Sequence, residues 1–170
     1  MTTQKTRWTE RSFNFELPNG MLPFYLERLT GTIVRLETKF KNVAEEVLSN
    51  KLDGKWSVKQ NIGHLSEVDD VSLIRIDEIL RGISPISSAV FETKKDYNTM
   101  TLDVVLKYFT ESRVKNIERL KALTDEELQK SSLHPRLQVQ VSPIGLAWFH
   151  AEHDDHHIVR MNEIISTLLK

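Results

Sequence analysis

With 170 residues, 23 basic against 24 acidic side chains and no cysteine, the chain suits one domain, residues 1–170, able to bury roughly 70% of its unfolded surface. A formal net charge of −1 gives no strong basic field for nucleic acid, and the missing cysteines exclude disulfides, cysteine-ligated zinc and a cysteine nucleophile. The N-terminus lacks the apolar core of a signal peptide and no apolar run approaches the ~20 residues of a membrane span, so a soluble, cytoplasmic protein is expected.

The first predicted helix carries Leu26, Leu29, Ile33, Leu36, Phe40, Val43 and Val47 at alternating steps of three and four, with Asn19 a candidate N-cap and residues 50–54 the stop. Ser57-Val58-Lys59-Gln60 is a capping box that opens a second helix. Its stripe is Val58, Ile62, Leu65, Leu73, Ile76 and Leu80, interrupted by Asp69, and Gly82 and Pro85 end it. Residues 83–100 show no period and read as a long connection. Thr101 then caps a third helix with Leu102, Leu106, Phe109, Ile117 and Leu120 inward. A second capping box, Thr124 to Glu127, starts a short helical turn, and the alternation from Leu137 to Val141 reads as extended chain. Ser142 and Pro143 are an N-cap and first helical residue for the last helix, whose face carries Leu146, Phe149, His153, His157, Ile164 and Leu168. The expected class is all-α: a four-helix bundle, up-down-down-up, because the long connection between helices 2 and 3 can cross the bundle and let them run parallel.

Four of the six histidines lie within eight positions, His150, His153, His156 and His157. His153 and His157 are four apart, one turn above the other on one helix face, which is how one helix presents two nitrogens to one metal ion. Burying an imidazole without a partner costs on the order of 1–3 kcal/mol, so two stacked in an apolar stripe need a shared reason. Metal ligation supplies one; two core histidines each bonded to a carboxylate or carbonyl would supply another. His64, on the shoulder of the second helix's stripe, is the candidate third ligand. Three neutral imidazoles leave a coordination position open, the arrangement of catalytic rather than structural zinc. Imidazole also suits nickel, copper or iron, with zinc or nickel the leading choices.

The remaining polar residues carry weaker signals. Glu67, one turn after His64, is a candidate to act as a general base or to orient a ligand, or else a solvated helix residue. Asp69, within an apolar stripe, is a candidate to orient a histidine. His150 and His156 could each support a ligand from behind but read more readily as half-exposed, and Asp154 and Asp155 as facing water. A di-iron bundle needs Glu-x-x-His pairs, and the sequence has none.

Phe13-Asn14-Phe15-Glu16-Leu17-Pro18, Leu26-Glu27-Arg28-Leu29, the block from Trp56-Ser57 to Gly63-His64-Leu65, His134-Pro135-Arg136-Leu137, and Ala151-Glu152-His153-Asp154-Asp155-His156-His157 together resemble the DinB superfamily, also called DinB/YfiT-like, over almost the whole chain. The resemblance implies an up-down-down-up four-helix bundle, often a homodimer, with one divalent metal on His64, His153 and His157. It further implies a small-molecule substrate and one of several activities: transfer of a low-molecular-weight thiol to an electrophile, a thiol-dependent isomerisation, or hydrolysis. Thiol transfer is the leading expectation. Hydrolysis by a metal-bound hydroxide and a non-catalytic metal- or ligand-binding stress-response module are the alternatives.

Overall fold

The computed structural model describes residues 4–89 and 93–170. The described helices are α1 (Leu22–Phe40), α2 (Glu45–Ser49), α3 (Val58–Leu80), α4 (Leu102–Lys121), α5 (Asp125–Gln129) and α6 (Pro143–Leu168). Two short strands, β1 (Ser132–Leu133) and β2 (Gln140–Val141), pair antiparallel with Ser132 opposite Val141.

Local chemistry sets most of these boundaries. Ser57 accepts from the Gln60 amide while Gln60 reaches back to the Ser57 amide, so the capping box starts α3 where expected. Thr124 and Glu127 do the same for α5, and Ser142 accepts from the Gly145 amide at the start of α6. Three expectations fail. The first helix does not continue to Val47: it stops at Phe40, and a turn separates it from α2. Asn19 is not its cap; Met21 holds that position, and the Asn19 amide donates to the Asp125 carbonyl instead. The extended stretch expected from Leu137 shrinks to Gln140–Val141, because residues 134–138 form a turn closed by the Gln138 amide on the His134 carbonyl at 2.9 Å.

Side-chain pairs reveal the helix directions. Ser66 meets Ser112 at 3.0 Å, and Asp77 meets Arg119 at 2.8 Å, so α3 and α4 run parallel. Arg28 reaches Glu152 at 2.9 Å and Arg35 reaches Asp155 at 2.6 Å, so α1 and α6 also run together. Asn61 faces His157 while His64 faces His153, which makes α3 and α6 antiparallel. The result is the up-down-down-up bundle, with the 83–100 segment as its crossover; residues 90–92 of that segment lie outside the described residues.

The crossover is seated on α3 by a glycine. An added Cβ on Gly63 would lie 2.3 Å from the Tyr97 ring, so only glycine lets the ring rest on the helix backbone. Tyr97 then donates to Glu67 at 2.9 Å.

The core divides in two. One apolar cluster gathers Leu29, Ile76, Ile79, Leu120 and Leu146 at one end, and the other gathers Leu36, Phe40, Ile62, Leu65, Phe109 and Met161 at the opposite end. Between them lies a buried polar layer. Arg113 donates to Asp69 at 2.8 Å and to Asp154 at 2.5 Å, Asn116 donates to Asp69 at 2.9 Å, and Thr32 donates to Asp154 at 2.8 Å. One guanidinium therefore ties α1, α3, α4 and α6 together at mid-height.

Candidate metal centre

His64 stands in the second turn of α3, and the antiparallel crossing of α3 with α6 sets it against two successive inward turns of α6. Its ring centroid is 5.2 Å from that of His153 and 5.0 Å from that of His157, and the last two are 4.4 Å apart. One ligating nitrogen from each residue falls within 4.8 Å of the others. The Nε2 atoms of His153 and His157 are 3.1 Å apart. Two nitrogens each 2.0–2.1 Å from a tetrahedral ion stand about 3.4 Å apart, so this pair fits one ion after a shift of a few tenths of an ångström.

The protonation of the site suits ligation as well. Asn61 donates its amide protons to the Ser57 carbonyl at 2.7 Å and the Trp56 carbonyl at 3.3 Å, which turns its Oδ1 toward His157 Nδ1 at 2.7 Å. His157 must then carry its proton on Nδ1, leaving the Nε2 lone pair for a ligand. Burial lowers the His64 pKa to about 4. Burial, followed by the neighbouring histidines, holds His153 and His157 well below the usual range. The three rings are therefore neutral at physiological pH, the form a divalent ion requires. The Nδ1 atoms of His64 and His153 are buried without a hydrogen-bond partner among the described residues, so no carboxylate or carbonyl explains those two rings as satisfied core histidines.

The trio forms part of the wall of a cavity of about 400 Å³. Trp56 packs 4.6 Å from His64, and Trp8, from the N-terminal arm, packs 5.3 Å from His153 and 5.3 Å from His156. Phe149 lines the cavity beside them, with Arg75, His134, Arg136 and His150 at its more polar margin.

The other sequence candidates occupy different places. Glu67 is buried, but it accepts from Tyr97 and from the Lys94 amide at 2.8 Å and does not line the cavity. Asp69 orients no histidine; its partners are Arg113 and Asn116. His150 and Asp154, expected to be half-exposed and exposed respectively, are buried at 3% and 1% exposure. The reason is helical phase: the buried line of α6 runs through His150, Asp154, His157 and Met161, and His153 stands on its shoulder, half-buried toward the cavity. Asp155 is half-exposed and pairs with Arg28 and Arg35. His156 is half-buried and lines the cavity without joining the trio.

Sequence reasoning missed Asn61, Arg113, Trp8 and Trp56. Arg113 left a trace, since it interrupts the stripe of the third helix just as Asp69 interrupts that of the second. Two opposite charges in facing apolar stripes point to each other.

Comparison with known proteins adds a family and a fold. The model of the DinB superfamily matches residues 28–159. Among solved structures, YfiT from Bacillus subtilis, described as a probable metal-dependent hydrolase with an unusual four-helix bundle topology, superposes with a TM-score of 0.79 at 20% identity, covering 93% of both chains. A mycothiol-dependent maleylpyruvate isomerase superposes with a TM-score of 0.66 at 12% identity over 87% of this chain, which spans 62% of that protein's length. No curated protein sequence matches.

Proposed function

The chain belongs to the DinB superfamily, and from that premise we propose that it is a single-domain, divalent-metal-binding protein, residues 1–170, that transfers a low-molecular-weight thiol to a small electrophilic substrate. The observation that carries this reading is the convergence of three neutral imidazoles at a cavity of about 400 Å³, large enough for two small reactants to meet. His64, His153 and His157 would hold the metal, with zinc or nickel the ions best suited. A divalent ion there supplies Lewis acidity and lowers the pKa of a thiol or water brought to it.

The chain's own residues do the rest. Asn61 fixes the His157 proton on Nδ1. Trp8, Trp56 and Phe149 give the cavity an apolar lining that limits water around a reacting thiolate. The Asp69–Arg113–Asp154 layer holds α3 and α6 at a fixed separation beside the trio.

A metal-dependent hydrolase is the second reading, motivated by the likeness to YfiT. A homodimer in the cytoplasm is the expected state. Metal-loaded and metal-stripped protein, assayed on a panel of small thiols paired with electrophiles and on a panel of esters and amides, separates the readings. Metal-dependent consumption of thiol supports transfer, and hydrolysis without thiol supports the second reading. Full metal occupancy with no turnover in either panel overturns both and leaves a binding module.

A further inference from the structure

The cavity wall away from the trio holds a charge that metal binding does not use. His64, Val68 and Arg75 lie on one face of α3 and all line the cavity. Eleven residues separate the two ends of that row, about 16 Å along a helix at 1.5 Å per residue. Arg75 is only 4% exposed. Its Nε donates to the Ser87 carbonyl at 2.9 Å, and among the described residues it makes no ion pair. The nearby carboxylate of Glu78 favours the charged guanidinium through space but does not bond it among the described residues, accepting instead from the Ser87 amide at 2.7 Å and the Ser87 hydroxyl at 2.5 Å. A guanidinium keeps its charge at any working pH, and a buried one whose N–H fork meets no carboxylate directly is costly.

Arg136 brings a second positive charge to this end of the cavity. Arg136 and His134 line the same cavity; burial, followed by the charges of Arg75 and Arg136, lowers the His134 pKa to about 4 and keeps its ring neutral. His134 Nδ1 accepts from the amides of Arg136 at 3.3 Å and Leu137 at 3.2 Å. Its ring proton is therefore on Nε2, a donor for whatever enters the cavity. A planar fork of N–H groups next to a neutral N–H donor matches the geometry of a carboxylate.

We propose that Arg75, with Arg136 and His134, forms a carboxylate-binding end of the cavity, so that the small molecule presented to the three histidines carries a carboxylate separate from its reacting group. Trp56 and Phe149 would cover the apolar body between the two ends. The inference relies on the proposed metal site only for the chemistry at the opposite end, and its test dispenses with metal.

Metal-stripped protein, dialysed free of chelator, is titrated calorimetrically with 4-phenylbutyrate and with its uncharged analogue 4-phenylbutyramide. The acid is expected to bind the wild-type protein at least about tenfold more tightly than the amide, a preference that falls with added salt. Arg75→Gln is expected to erase the preference, and Arg75→Lys, which keeps the charge and loses the fork, to retain only part of it. Equal binding of acid and amide by the wild type, absence of binding by either, or a preference that survives Arg75→Gln overturns the proposal. Should Arg75→Gln not fold, the wild-type comparison and Arg75→Lys still decide. Zinc content is measured separately on the same proteins: an acid preference in a protein that binds no zinc would overturn the metal site and leave this one standing.

Discussion

At the scale of single residues, the site depends on which nitrogen carries each proton. Asn61 accepts from His157 and is itself locked by two backbone carbonyls, so Asn61→Ala frees the imidazole to tautomerise and rotate. Metal affinity, measured by competition with a chromogenic chelator, is expected to fall about 10–100-fold with little change in helicity; an unchanged affinity would remove Asn61 from the account. Asp69 yields a pH prediction. Burial pushes its carboxyl up to about 7 despite the Arg113 charge beside it, whereas the unfolded chain titrates near 3.9. The folded state thus holds this proton more tightly, and the stabilisation it brings is present at acid pH and lost as pH rises toward about 7. Relative to Asp69→Asn, the wild type should lose stability between about pH 4 and pH 7 and no further above that; a urea-midpoint difference independent of pH contradicts the shift.

At the scale of elements, two contacts set how the helices meet. Gly63→Ala places a methyl group 2.3 Å from the Tyr97 ring and forces the crossover off α3. Overpacking of this kind costs about 1–3 kcal/mol, more than the roughly 1 kcal/mol that alanine gains over glycine in a helix. A lowered melting temperature is the expected outcome, and a raised one would show that the ring moves aside freely. Arg113→Ala leaves Asp69 and Asp154 buried without their shared cation, at an expected cost of about 3–5 kcal/mol in urea unfolding.

These elements also show what could be read in advance. Both capping boxes and the Ser142–Pro143 start are local chemistry, and they mark true boundaries. The split between α1 and α2 and the burial of His150 and Asp154 depend on which neighbours pack where. Neighbouring residues alone do not encode that packing. His153 and His157 share a face by spacing, and the structure brings His64 to them from ninety residues away. Arg75 gave no signal in the sequence because its distinction, a buried cation with no ion pair among the described residues, exists only once the helices have packed.

At the scale of the whole molecule, an apolar core in two halves is closed around a polar waist, and the histidine trio opens from the side of the bundle into an aromatic-lined cavity. No helix among the described residues is long and apolar enough to cross a membrane. A metal held by residues from both α3 and α6 would bind the folded state more tightly than the unfolded chain, so zinc should raise the melting temperature in a concentration-dependent way. Elemental analysis of protein purified without a histidine tag, for the wild type, His153→Ala and His156→Ala, alongside circular dichroism, tests most directly whether the trio holds a metal. About one divalent ion per chain is predicted for the wild type and for His156→Ala, and none for His153→Ala at unchanged helicity. A wild type that carries no metal after reconstitution, or a His153→Ala that keeps its metal in full, would mean that these histidines do not form a metal site.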